Sequence, residues 1–174
     1  MKKIGKYSFG LGDRFGHQGA AQLRAIVEAG KKGIDITPVW NKSNREHMII
    51  GTEPGDVRIE ADTVTANADF SLPYFVDADH INLDTVDRFI ESSDFFTIDV
   101  ASYIGKQAPE EETIKFVERA KRYGEIRIPG MEKALTCTPD QLSDIAGKYL
   151  FAALKASEIY KKILSLKGSD DFVT

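Results

Sequence analysis

Short apolar runs alternate with amphipathic stretches along the first hundred residues. Residues 7–11 (YSFGL) make an aromatic run closed by Gly12 and Asp13, which reads as a buried strand. Between residues 19 and 29, Leu23, Ile26 and Val27 recur at helical spacing with polar residues opposite, and Gly30 and Gly33 stop the helix. Residues 34–40 (IDITPVW) read as a second strand, with Pro38 weakening its second half. A polar loop then leads to a helix reaching Asn67, with Thr52 as its cap and Pro54 in its first turn. Residues 73–76 (PYFV) form a third strand, 83–90 a short helix and 95–100 (FFTIDV) a fourth strand.

Strand followed by helix, four times over, predicts an α/β fold of parallel (β/α) units, each strand beside its predecessor with right-handed crossovers. After the fourth strand the rhythm breaks. Residues 109–123 form a charged helix with Glu110, Glu111 and Glu112 at its positive end, which reads as a solvated face. A short segment at 126–130 follows, and Thr138, Pro139 and Asp140 open a long helix to residue 166 with apolar residues on more than one side. Residues 171–174 read as the opening of a fifth strand. The expected organisation is therefore four βα units over residues 1–104, then a helical excursion and the start of a fifth strand over 105–174. These form one domain, expected to be incomplete. Its open strand edges favour self-association, so a homo-oligomer is expected.

Composition narrows the partners. The chain has 174 residues, with 23 basic and 27 acidic side chains and a net charge of −4, so it has no basic surplus for a phosphate backbone. No stretch approaches the length of a membrane span, and no apolar signal core follows Lys2 and Lys3. No nucleic acid and no membrane are expected as partners, and a cytoplasmic location is. The single cysteine, Cys137, forms no internal disulfide and no cysteine-based zinc cage.

Ligands of parallel α/β folds bind at the carboxyl ends of the strands. Asp13, Arg14 and His17 follow strand one, Lys42, Arg45 and His47 follow strand two, and Asp77, Asp79 and His80 follow strand three. Strand four carries Asp99 near its end. All three histidines fall in these loops and none on a helix. Ordinary readings compete: Asp13 and Asp84 suit turns or caps, and His17 suits a solvated loop. The glycines at 10, 12 and 16 miss the dinucleotide spacing, and Asp13 and Arg14 sit where a pyrophosphate would approach. The cluster Asp77-Ala78-Asp79-His80 is harder to dismiss, because carboxylate oxygen plus imidazole nitrogen is a ligand set for zinc, manganese or iron. Strict alternation would place His80 opposite both aspartates, so a shared ion requires the backbone to turn there.

Residues 7–18 (YSFGLGDRFGHQ), Ser43 to His47 (SNREH) with Ile49-Ile50-Gly51-Thr52, residues 73–81 (PYFVDADHI) and 85–101 (TVDRFIESSDFFTIDVA) resemble the tagaturonate/fructuronate epimerase family. The resemblance implies a (β/α) barrel of TIM type, of which this chain would be the first half, since a full barrel takes about 250 residues. It implies metal-dependent epimerisation of a keto-hexuronate, a small sugar acid. The inverted carbon lies β to the ketone, so retro-aldol cleavage and re-addition fit better than simple deprotonation. A divalent metal (zinc, manganese or similar) would act as Lewis acid and an aspartate or histidine would take the hydroxyl proton. The residues this reading puts forward are Asp13, His17 and Asp77 for catalysis, and Asp79 and His80 for the metal. Arg14, Lys42, Arg45, His47 and Asp99 are put forward for substrate. Two alternatives stand beside it: a non-catalytic domain binding sugar acid or metal, and a flavodoxin-like interaction module.

Overall fold

The computed structural model describes residues 3–174. Four strands, β1 (Ser8–Gly12), β2 (Thr37–Ser43), β3 (Phe75–Ile81) and β4 (Phe95–Ile98), form one parallel sheet in the order β1-β2-β3-β4. Helix α1 (Gly19–Lys31) joins β1 to β2, and α2 (Asn44–Ile50) and α3 (Pro54–Asn67) join β2 to β3. A single 3-10 turn, Val86–Phe89, joins β3 to β4. Successive strands are neighbours, as the alternating pattern predicts.

The two faces of the sheet follow from strand alternation. Leu11, Trp40 and Val76 project to one side and pack with Leu23 and Ile26 of α1 and Val57 and Ala61 of α3, all buried. Each of the larger of these side chains contributes about 2 kcal/mol relative to exposure. The opposite face carries Asn41 and Ser43 of β2, Asp77 and Asp79 of β3 and Thr97 of β4, and the register sets Asn41 against Asp77 and Ser43 against Asp79. Asn41 leans over β1, where a Cβ at Gly12 would lie 3.1 Å from its Oδ1. Bare backbone at that point makes room for a polar side chain on this face.

Several details depart from the sequence expectation: the helix expected at 83–90 is reduced to the 3-10 turn Val86–Phe89, and β4 ends at Ile98, so Asp99 follows the strand rather than lying on it. The second and third strands run on to Ser43 and Ile81, so Lys42 lies in β2, and Asp77, Asp79 and His80 lie in β3 rather than in following loops. Their charged carboxyl-terminal halves disguise them as loop. The polar segment after β2 contains helix α2, and His47 lies on it, contrary to the expectation that no histidine is helical. Glu53 rather than Thr52 is the N-cap of α3, and its N–H donates to Asp56 Oδ2 at 2.8 Å. Where a fifth strand is expected to open, the structure has an isolated bridge: Val173 pairs in parallel with Phe95, with Phe96 N–H donating to Val173 O at 2.9 Å.

The chain divides into two compact units. The first runs to Asp99 and resumes over Ile159–Thr174, and the second is Val100–Glu158. In the first, Ile159, Ile163 and Phe172 are buried, and Phe172 meets Phe96 edge to face at 5.6 Å. The second contains α4 (Glu110–Lys121), which buries no residue, and the first two-thirds of α5 (Pro139–Lys167). Within it Tyr103 stacks edge-on against Phe151 and Gly105 N–H donates to Lys148 O. Among the described residues no helix is long and apolar enough to cross a membrane.

Candidate active site

At the carboxyl ends of β2, β3 and β4 the first unit opens a cleft of about 590 Å³ lined by Ser43, Asn44, Arg45, Glu46, Asp79, His80, Asn82, Thr85 and Asp99. That volume suits a small organic ligand. A hollow around Ile26, Ile36, Phe70 and Leu72 at the other end of the strands contains no histidine and no cation.

The floor of the cleft is built by β3. Its register against β4 shifts between Ala78 and Ile81, and His80 takes φ 54°, the left-handed region. The alternation of the strand breaks there, so the imidazole comes round to its neighbour: His80 Nδ1 lies 2.7 Å from Asp79 Oδ1. Asp79 is mostly shielded and His80 largely exposed. Deeper on the same face, Asp77 accepts from Thr97 N at 3.0 Å and from Thr97 Oγ1 at 2.8 Å. Burial pushes its pKa up to about 6; the neighbouring Asp79 charge adds to the rise, while the Thr97 bonds and His80 oppose it.

One wall is set by a capping box. Ser43 ends β2 and caps α2, with Glu46 Oε2 accepting from Ser43 N at 3.0 Å and from Ser43 Oγ at 2.9 Å. Arg14 reaches over from the β1–α1 loop to place Nε 3.6 Å from Glu46 Oε1. Burial works to raise the Glu46 pKa, but the Ser43 bonds and the Arg14 charge outweigh it and hold it below 4.5. Arg45, one residue on, is exposed and makes no ion pair among the described residues. The other wall is the loop after β3, where Asn82 Oδ1 accepts from Asp84 N and Thr85 N at 2.9 and 3.2 Å. Asn82, rather than Asp84, organises that turn.

The structure thus brings Arg45, Asp79, His80 and Asp99 together in the cleft, with Asp77 beneath them and Arg14 on the rim. It does not bring in the rest. Lys42 is 3% exposed on the helix-covered face, two residues along from Trp40, with Nζ 3.4 Å from where a Cβ of Gly16 would stand. His47 is 1% exposed beneath Phe89 and bonded through Nδ1 to Thr52 Oγ1 at 2.9 Å. Burial and the charges of Lys42 and Arg88 push its pKa down to about 4, against smaller opposing effects of Glu53 and Asp56. Asp13 accepts from the backbone N–H groups of Phe15, His17 and Gln18 at 3.1, 2.8 and 2.7 Å. Burial acts to raise its pKa, and these donors together hold it below 3.8. Asp13 is therefore the knot of its own loop, and His17 stands exposed on that loop outside the cleft lining.

Sequence reasoning passed over Ser43, Asn44, Glu46, Asn82 and Thr85 as cleft residues. The Ser-x-x-Glu spacing of a capping box was the available signal for the first wall. For the metal expectation, the described residues assemble no group of three or more His, Cys, Asp or Glu side chains around one point, so at most the pair Asp79 and His80 would meet an ion from this chain. Asp79 and His80 stand as a hydrogen-bonded pair.

The sequence pattern of tagaturonate epimerase (UxaE) matches residues 1–173. The chain belongs to the tagaturonate epimerase family. Its fold is similar to that of fructuronate-tagaturonate epimerase UxaE from Cohnella laeviribosi: the native crystal structure has TM-score 0.72 and 20% identity, covering 94% of this chain and 35% of that one. A glycerol complex of the same epimerase gives TM-score 0.70 and 21% identity, again covering 94% and 35%. The chain thus spans about a third of the length of the epimerase structures it matches. A comparison with curated proteins gives no match.

Proposed function

We propose that this member of the tagaturonate epimerase family carries a keto-hexuronate site that interconverts tagaturonate and fructuronate. The observation that supports it is the cleft, which gathers the Asp79–His80 pair and an unpaired Arg45 at the carboxyl ends of parallel strands. Arg45 is the cation left to take the substrate carboxylate in a bidentate grip. Arg14 already serves Glu46, and Lys42 lies on the other face of the sheet.

The His80 Nδ1–Asp79 Oδ1 contact fixes the imidazole with Nε2 as its remaining lone pair, an arrangement that also suits a metal-ligating histidine oriented by a carboxylate. His80, with Asp79 beside it, would meet a divalent ion through Nε2, and such an ion, when bound, would polarise the ketone as a Lewis acid. Asp79 keeps Oδ2, which makes no hydrogen bond among the described residues, to take the proton of the β-hydroxyl. As that proton leaves, the bond between the α and β carbons breaks, yielding an aldehyde and an enediolate. The aldehyde turns, the enediolate carbon re-forms the bond to its other face, and Asp79 returns the proton to the new alkoxide. Atoms and charge balance, and only the configuration of one carbon changes.

Calorimetric titration with D-tagaturonate and D-fructuronate tests the reading. Both sugar acids should bind, and Arg45→Met should weaken each at least tenfold, the scale of one lost charge-assisted bond. Arg45→Met binding equal to wild type would overturn the assignment.

A further inference from the structure

Arg88 lies outside the cleft, on the 3-10 turn after β3, and nothing in the pattern of the sequence singles it out. Its guanidinium reaches the corner between α2 and α3. Nη1 donates to Asn44 Oδ1 at 2.7 Å, Nη2 to Thr52 O at 3.0 Å and Nε to Glu53 Oε2 at 2.9 Å. Arg88 is three-quarters shielded, whereas Glu53 is largely exposed, so the Glu53 arm is the weakest of the three. Asn44 is the first residue of α2 and lines the cleft.

A guanidinium only donates, so the end of Asn44 that faces Arg88 must be the carboxamide oxygen. The end left over is the NH2, which donates no hydrogen bond among the described residues. Beside Arg45, which is left for the substrate carboxylate, a fixed amide NH2 would add a second, neutral donor for a hydroxyl or ketone oxygen. An unheld carboxamide would turn and present its oxygen to an incoming carboxylate or ketone as readily as its NH2. We propose that Arg88 is a positioning residue that locks the Asn44 carboxamide so that its NH2 donates to an oxygen of the sugar acid. The inference rests on the reading of the cleft as a sugar-acid site.

A double-mutant cycle on the 174-residue chain, read by D-tagaturonate affinity, tests it. Arg88→Lys should weaken binding about tenfold in the wild type and leave it unchanged in an Asn44→Ala background, because its effect passes through Asn44. Asn44→Asp keeps an acceptor for Arg88 but replaces the NH2 with a second oxygen. Its unfolding midpoint should hold or rise while binding falls below that of Asn44→Ala. Equal losses from Arg88→Lys in both backgrounds, or an Asn44→Asp that binds as well as wild type, would overturn the inference. A wild type that binds no D-tagaturonate would overturn the cleft reading itself. The side-chain amide signal of Asn44, identified by its disappearance in Asn44→Asp, then decides the positioning separately. Two well-separated proton shifts that collapse toward the free-amide values in Arg88→Lys uphold the lock, and shifts that do not move refute it.

Discussion

Two buried groups titrate in opposite directions in the same pH window, and their opposition can be measured. His47 is held neutral down to about pH 4, against 6.5 for an unperturbed imidazole, and Asp77 stays protonated up to about pH 6, against 3.8. As pH falls below 6.5 the unfolded chain protonates at His47 while the folded one does not, so His47 removes stability progressively until about pH 4. Across the same range the folded chain takes up a proton at Asp77 and the unfolded one does not, so Asp77 returns stability until about pH 3.8. Between about pH 6 and about pH 4.5, linkage gives each group about 1.5 kcal/mol, with opposite signs. Their sum is close to zero. The wild type should therefore show a nearly flat stability profile in that interval, measured in EDTA. His47→Leu should become about 1.5 kcal/mol more stable on acidification, and Asp77→Asn less stable by about the same amount. Urea unfolding reads this directly, because the single tryptophan, Trp40, is 1% exposed in the core and reports loss of packing. A His47→Leu profile parallel to the wild type would show that the imbalance at His47 does not exist and would refute the reasoning. Working above about pH 4.5 keeps Glu46 and Asp13, whose stabilisation is lost only at lower pH, out of the comparison.

Two further outcomes are expected. Saturating Mn2+ or Zn2+, at about one hundred times the dissociation constant, should stabilise the chain by about 2.7 kcal/mol, and His80→Ala should abolish that gain without unfolding the protein; an unchanged unfolding midpoint with either ion in the wild type would exclude a metal site built on this residue. Phe172→Ala should cost about 3–5 kcal/mol in urea unfolding, because the ring is 3% exposed between Phe96 and Tyr160, and a loss under about 1 kcal/mol would show that the last residues add nothing to β4.

The strand order was legible because apolar runs in a parallel sheet alternate with amphipathic helices, and β1 to β3 follow that rhythm, with β4 added after a 3-10 turn. The strand ends were not, because Lys42, Asp77 and Asp79 put charge where the pattern expects apolar residues. Local polarity says loop; the sheet overrides it, since a carboxylate on the face away from α1 and α3 meets Thr97 and the cleft rather than a hydrocarbon core. His47 illustrates the converse. It looks like a site residue by its position after an apparent strand, yet the helix that carries it turns it under Phe89. Asp13 fell between the two: its carboxylate is fully engaged, but by the backbone of its own loop. Asn44 and Arg88 meet only through the fold, forty-four positions apart in sequence, and no local pattern foretells such a pair.

The left-handed backbone at His80 also bears on how this protein tolerates change. A side chain with a Cβ, such as histidine, is strained by about 1–3 kcal/mol at φ 54°, whereas glycine occupies that region freely. Selection for stability alone, in a laboratory library scored by heat resistance, would therefore favour His80→Gly. The library would gain melting temperature and lose the Asp79–His80 pair in the same step.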